Sequence, residues 1–229
     1  MGAGVRGIVV GMISVVVPTL NAQSQLPRCF DSLIGATVRG LVKEVVVADG
    51  GSSDDTLTIA DAAGCHVVGA GKSRAAQWTA GAGIARGDWL LFLTPETALE
   101  TGWENEAESF MASATLERPL AAMFRFALDD FSARARRREA MVAWRTRLIA
   151  LPYADQGLLI PRRLYQKLGG HREVAMEDAD LARRIGRSRL VQLRSRAINK
   201  LVVEEPRRSR LVAMLHALRV PVSVVSRIG

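Results

Sequence analysis

The sequence predicts an α/β fold: a single domain with a mainly parallel central sheet and helices on both faces. Two stretches predict it. Val45–Asp49 (VVVAD) is a β-branched run that stops on an aspartate followed by two glycines, and Ile13–Asn21 (ISVVVPTLN) is a second apolar run that closes on Pro18, Thr19 and Asn21. Strands that are apolar at consecutive positions need cover on both faces, which a parallel sheet between two helical layers provides. At 229 residues, with 48% hydrophobic and 24% charged side chains, the chain can bury a full core as one domain.

The elements follow in order. Ile13–Asn21 is the first strand, and Leu26, Phe30, Leu33 and Ile34 recur at helical spacing after it. Val45–Asp49 is the second. Gly50 and Gly51 permit a tight turn there, and Ser52, Ser53, Asp54 and Asp55 offer capping oxygens to the next helix. Cys65–Val68 is a short third strand in which His66 is a strand residue. A helix from Ser73 carries Gln77, Trp78 and Ile84, and Trp89–Leu93 is the central buried strand. Ala121–Phe126 is a further strand, ahead of Asp129 and Asp130. Ser132–Ile149 reads as a basic amphipathic helix with Met141, Trp144, Leu148 and Ile149 as apolar positions. Such a helix either lies on a membrane surface or packs on the core with its charges outward. Leu181 and Ile185 put one face of a helix starting at Met176 into the core. The domain is expected over residues 1–200. Residues 201–229 are expected to form a basic amphipathic helical tail, with Leu211, Met214, Leu215 and Leu218 beside Arg207, Arg208 and Arg210.

Two parallel strands joined by a crossover helix create a crevice beyond their carboxyl ends, where such sheets bind ligands. Asp49 stands at that edge. Two look-alike motifs fail on context. The glycines of Gly2–Gly7 (GAGVRG) precede the first strand instead of following it, and Gly71-Lys72-Ser73 has His66 where a phosphate-binding loop needs its first glycine. Cys29 and Cys65 lack metal-ligand spacing and read as buried apolar residues of a reducing, cytoplasmic compartment. The apolar run Ile8–Val17 is too short to span a bilayer and serves better as the first strand.

Charge is lopsided. Residues 1–124 carry 8 Lys/Arg against 13 Asp/Glu, whereas residues 125–229 carry 23 against 10. A half-chain this basic fits an anionic partner: a phosphorylated substrate or an anionic lipid or membrane surface, met at the inner face of the membrane. Nucleic acid is not expected, because the basic half has no aromatic platform or nucleic-acid-binding motif.

The order of the motifs carries a resemblance. Pro18-Thr19-Leu20-Asn21, Asp49-Gly50-Gly51-Ser52, and Ser73–Asp88 with Arg74, Gln77, Gly81, Ala85, Gly87 and Asp88 appear in sequence. Leu91–Thr97 (LFLTPET), Asp155-Gln156-Gly157 and Met176-Glu177-Asp178 follow. Together they resemble the inverting family 2 glycosyltransferases of bacteria, which have the GT-A fold, over about residues 12–190. The resemblance implies transfer of a sugar from a nucleotide-diphosphate donor. Pro18, Thr19, Asn21, Asp49, Gly50, Arg74 and Gln77 would bind that donor, Asp49 at the nucleobase and Arg74 near the phosphates. Asp178 would be the catalytic base with Glu177 beside it, and Asp155 and Gln156 would border the acceptor. The family's D-x-D element, which holds Mg²⁺ or Mn²⁺, reads Thr94-Pro95-Glu96-Thr97 here, so Glu96 is the implied metal ligand, one methylene longer than the family's aspartate. A catalytically weakened, nucleotide- or membrane-binding homologue is the competing reading. A nucleotidyltransferase fits less well, because no glycine-rich loop follows the first strand.

Overall fold

The computed structural model describes residues 11–114, 119–149 and 154–200. The Gly2–Gly7 motif, Leu151–Tyr153 and the tail expected over 201–229 lie outside them, as do the side chains of Leu148 and Ile149. The chain runs β1 (Ile13–Thr19), α1 (Leu26–Asp31), α2 (Ile34–Val38), β2 (Val42–Asp49), α3 (Thr56–Ala62), β3 (His66–Gly69), α4 (Arg74–Ile84) and β4 (Trp89–Phe92). It continues through β5 (Thr97–Leu99), α5 (Trp103–Ser113), β6 (Ala121–Leu128), α6 (Ala133–Ile149), β7 (Leu158–Pro161), α7 (Arg162–Lys167), α8 (Glu177–Ile185) and β8 (Leu190–Asn199). These eight strands form one sheet in the order β3-β2-β1-β4-β7-β6-β8-β5.

All seven residues of β1 and all four of β4 are buried, as consecutive apolar strands between two helical layers must be. Their side chains alternate between two cores. Val15, Val17, Leu91 and Leu93 join Leu26, Cys29, Trp103, Phe110 and Phe124 on the face covered by α1 and α5. Val16, Leu90 and Phe92 join Trp78, Leu164, Tyr165, Leu181 and Ile185 under α4, α7 and α8. The helix α4 can lie this close to β1 because Gly81 has no side chain, and a Cβ there would overlap Val16 Cγ1. Each fully buried Leu or Ile in these layers stabilises the fold by roughly 1.5–3 kcal/mol relative to exposure.

The parallel half is β3-β2-β1-β4, and β6 also runs parallel to β8. Antiparallel β7 is inserted between β4 and β6, and β5 runs antiparallel to β8, so the sheet is mixed with parallel pairings in the majority. Two expected elements differ in detail. The helix after β1 is broken: the Ser32 hydroxyl donates to the Cys29 carbonyl at 2.7 Å, the chain restarts as α2, and Ile34 is exposed instead of packed. In α6 the residues that pack on Phe126 and Leu128 of β6 are Ala135 and Val142, while Met141 and Trp144 face outward. Both cysteines are free. Burial pushes the Cys29 thiol up to about 12 and that of Cys65 to about 11, so neither is a thiolate near neutrality.

Candidate active site

The carboxyl ends of β1 and β2 meet in a crevice whose two loops are stitched together. Gly50 N–H donates to Thr19 O at 2.8 Å. Asn21 takes a left-handed backbone (φ 54°), which asparagine tolerates better than most residues, and its side-chain oxygen accepts from Ser53 N–H at 2.9 Å. Gln23 N–H donates to Asp54, Asp55 N–H donates to Gln23 Oε1, and Ala22 N–H donates to Thr56 Oγ1. Gln77 reaches in from α4, 4% exposed, and occupies the space where a Cβ on Gly50 would stand. A larger residue there would have to displace the Gln77 amide. Pro18 lies buried in β1 beside Ala48 of β2.

Asp49 is the hub of these loops. One oxygen accepts from Thr19 Oγ1 at 2.9 Å and Ser52 Oγ at 2.5 Å; the other accepts from Gly51 N–H at 2.9 Å and Ser52 N–H at 2.8 Å. Four hydrogen bonds are about the capacity of a carboxylate. Burial alone would raise its pKa, but the donors of Ser52, Thr19 and Gly51 outweigh burial and hold it below the ordinary 3.8.

A second group of charges faces this crevice. Met176, with a left-handed backbone (φ 62°), precedes α8 and turns the chain so that Glu177 and Asp178 open the helix. Acidic side chains are favoured at that end of a helix. Arg74, at the first turn of α4, donates to Glu177 Oε1 at 2.8 Å. Burial would lower the Arg74 pKa, yet Asp178, Glu177 and Asp155 together raise it. The guanidinium thus bridges the donor-side helix to the acidic start of α8. Part of Asp155 reaches solvent, but its carboxyl is densely surrounded. Burial pushes it up to about 6, Arg74 pulls it down, and Glu96 and Asp178 add to the rise. A carboxyl raised this way stabilises the fold fully only below about 3.8, and its contribution is lost as pH climbs through about 6.

Glu96 sits on a β-turn. Thr97 N–H donates to Thr94 O at 3.0 Å, Pro95 fills the position that prefers proline, and Glu96 is exposed beyond the end of β4. Behind the turn runs a buried polar chain: Thr94 Oγ1 to Thr97 Oγ1 at 2.8 Å, Thr97 Oγ1 to Asn199 Oδ1 at 2.6 Å, and Asn199 Nδ2 to Asp155 O at 2.8 Å. Asn199 therefore ties the Glu96 turn to the Asp155 segment. Of the two residues expected on the acceptor side, Asp155 lies close enough to Arg74, Glu96 and Asp178 to feel their charges, and Gln156 is fully buried and donates to Phe124 O at 3.2 Å.

Residues 14–103, which hold this crevice and the Glu96 turn, match the model of the glycosyl transferase family 2. Over that segment the chain is similar to glycosyltransferases of family 2. Over 95 residues it is 36% identical to a PGL/p-HBAD biosynthesis glycosyltransferase of Mycobacterium bovis, covering 38% of this chain and 36% of that protein. Over 56 residues it is 48% identical to glucosyl-3-phosphoglycerate synthase of Mycobacterium tuberculosis, covering 24% of this chain and 17% of the relative. The matches thus span about a third or less of those relatives' length. In solved structures the fold is similar to that same synthase bound to Mn²⁺, uridine diphosphate and glucosyl-3-phosphoglycerate, with TM-score 0.64, 19% identity, and 92% of this chain and 81% of the other covered. A Mg²⁺ and uridine-diphosphate complex of the synthase gives the same TM-score over 92% of this chain and 80% of the other. At such identity the likeness speaks for the fold, which agrees with the GT-A sheet seen here.

The structure also draws in residues that spacing did not single out. Thr94, Thr97 and Asn199 fix the Glu96 turn; Gln23 and Thr56 join the two donor loops; His171 and Tyr165 lie under Asp178. Only the donor-loop pair had a usable signal, since polar residues clustered just after a strand end are turn and cap candidates.

Proposed function

We propose that this chain transfers a sugar from a uridine-diphosphate donor to an acceptor hydroxyl, with inversion at the anomeric carbon. The observation that supports it most is the Arg74–Glu177 pair, which sets the acidic start of α8 against the donor crevice. A base and a nucleotide pocket then share one rim. The acceptor O–H gives its proton to Asp178 as its oxygen attacks the anomeric carbon. The bond from that carbon to the donor phosphate breaks, and its electron pair leaves with the diphosphate. A single displacement of this kind inverts the centre. Arg74 lies where it can exchange part of its pairing with Glu177 for the donor phosphates, and Asp49 shapes the nucleobase end by holding its loop. Asp155 borders the acceptor.

The site fits a divalent cation held weakly. Among the described residues no three His, Cys, Asp or Glu side chains gather as a ligand set. Glu96 is one exposed carboxylate at the strand end, and Asp155 and Asp178 are near enough to feel its charge or each other's. Mg²⁺ commonly takes one or two carboxylates and completes its shell with water and substrate phosphate. Bound there with the donor, it would offset the negative charge that develops on the leaving diphosphate. The synthase structures, with Mn²⁺ or Mg²⁺ beside uridine diphosphate, support this reading.

A thermal-shift panel of UDP, GDP, dTDP and CDP with and without Mn²⁺ tests both parts, because ligand that binds only the folded form raises its melting point. UDP with Mn²⁺ is expected to give the largest shift. Glu96→Gln should weaken UDP binding about tenfold, near 1.4 kcal/mol, and Glu96→Asp should retain it. UDP binding indifferent to EDTA and to both substitutions would remove the cation from the reading. UDP binding without any donor cleavage would favour the second reading, a nucleotide-binding homologue without turnover, which the solitary, exposed Glu96 supports.

We further propose that the acceptor is lipid-linked or presented at an anionic membrane surface, with the protein peripheral to the inner, cytoplasmic face. Among the described residues no helix is long and apolar enough to cross a membrane. Phe131 is 90% exposed and Met141 and Trp144 are 57% and 61% exposed, on or beside a helix carrying Arg134, Arg136, Arg137 and Arg138. Aromatic and apolar side chains among arginines suit the interfacial zone of a bilayer. Each basic residue contributes about 1 kcal/mol near an anionic surface, so several must act together. Sedimentation is expected to show binding to anionic but not neutral vesicles. Salt, deletion of residues 207–229, and Trp144→Ser should each weaken it. Equal indifference to both vesicle types would point to a soluble acceptor.

A further inference from the structure

Beneath the start of α8 lies a buried pair of polar side chains, Tyr165 and His171, with no part in donor binding or in the proton transfer itself. His171 is 6% exposed. Its ring stacks on Trp78 (centroids 5.6 Å apart, planes at 23°) and meets Phe92 edge-on (4.9 Å, 84°), which fixes its orientation. The loop carrying it is also held, since Arg184 donates to Leu168 O and Gly170 O, and Thr79 Oγ1 donates to His171 O.

The Tyr165 hydroxyl oxygen accepts from the His171 backbone N–H at 3.0 Å and also lies 3.0 Å from His171 Nδ1. With its proton turned toward the ring, Tyr165 makes Nδ1 the acceptor. A neutral imidazole that accepts at Nδ1 carries its proton on Nε2. Nε2 faces Asp178 Oδ1 at 3.7 Å. That is longer than a direct hydrogen bond, though contacts of this kind often tighten once substrate is bound.

We propose that Tyr165 and His171 are positioning residues for Asp178: Tyr165 holds His171 as the Nε2–H tautomer, whose N–H engages one Asp178 oxygen and leaves the other to take the acceptor's proton. The proposal rests on Asp178 being the base. The proton moves from the acceptor hydroxyl to the free Asp178 oxygen, and the Nε2 proton stays on His171. An N–H aimed at one carboxylate oxygen fixes the rotation of the carboxylate, so the pair keeps the other oxygen turned to the acceptor. The other charged or titratable groups around it are Arg74, Glu177 and Asp155 at the crevice, with Arg184 behind the His171 loop.

The test uses the full chain with UDP-glucose and Mn²⁺ as probe, following UDP release beside calorimetric UDP binding. His171→Phe keeps an aromatic ring against Trp78 but has no N–H, and Tyr165→Phe removes the hydroxyl that sets the tautomer. Each is expected to lower kcat about 3–10-fold, with KM for UDP-glucose and UDP affinity within about twofold of the parent. ¹⁵N spectra of the unmodified protein should show His171 as the Nε2–H tautomer, a readout that survives if either variant fails to fold. An Nδ1–H tautomer, or unchanged kcat in folded variants, overturns the proposal. The two readings fail differently: an active Asp178→Asn variant removes the base itself, whereas an inactive one beside fully active His171 and Tyr165 variants removes the positioning role alone.

Discussion

Asp178→Asn is expected to lower turnover of the nucleotide-sugar donor by about 10²–10⁴-fold, the range general-base groups supply, while UDP affinity stays within about twofold. The amide keeps the shape of the carboxylate but cannot take a proton from the acceptor. Its neighbourhood argues for a specific loss, because Glu177 and not Asp178 holds the hydrogen bond to Arg74, so the bridge between α4 and α8 survives the substitution. Glu177→Gln makes the contrast. It weakens that bridge, frees Arg74, and should raise KM for the donor more than it lowers kcat. Wild-type turnover by Asp178→Asn would reduce the Glu177-Asp178 pair to a favourable helix start. Equal losses of binding and turnover in both variants would mean that the pair acts only by fixing the geometry of Arg74.

The parallel half of the sheet was legible because burial on two faces leaves a mark that needs no partner to be read. Val45–Val47 and Trp89–Phe92 are apolar at every position, and they became interior strands. Helix α8 was legible for the same reason: Leu181 and Ile185, four apart, are 0% and 2% exposed. The direction of β7 was not. An apolar run has the same pattern whichever way it enters a sheet, so Leu158–Pro161 gave no sign of lying antiparallel between β4 and β6. Helix α6 misled in a different way. Met141 and Trp144 are its largest apolar residues within the described side chains, yet smaller Ala135 and Val142 make the contact with β6.

The site divides along a similar line. Residues singled out through the resemblance stand in local chain geometry: Gly50 makes room for Gln77, Asn21 adopts a left-handed turn, and Glu96 stands at a strand end. Others, which act across the fold, were not singled out. Asn199 fastens the Glu96 turn from 102 positions beyond Thr97, and His171 reaches Asp178 only because a loop with two left-handed glycines, Gly169 and Gly170, folds it under α8. Gln156, which the resemblance sets beside the acceptor, also bonds across the fold, to Phe124 O of β6.

Asp49→Ala is expected to cost about 2–4 kcal/mol of stability, because four donors lose one acceptor at once and the two backbone N–H groups of the turn are left without a protein partner. For a domain of this size that corresponds to a fall in melting temperature of roughly 5–15 °C. UDP binding should disappear with it, since the same four bonds shape the loop at the nucleobase end. Asp49→Asn separates charge from shape. Its amide oxygen can still take part of the Gly51 and Ser52 bonds, so about half of the loss is expected near neutrality. The pH dependence gives the sharper distinction. A carboxyl held below its ordinary 3.8 contributes its stability above that value and loses it as pH falls through the lower, folded value. The gap between wild type and Asp49→Asn should therefore be full at pH 7 and shrink below about pH 4. Melting curves of both proteins from pH 7 to pH 3 measure it. A gap that stays constant down to pH 3 would show that Asp49 holds the loop by geometry alone, with its charge contributing nothing.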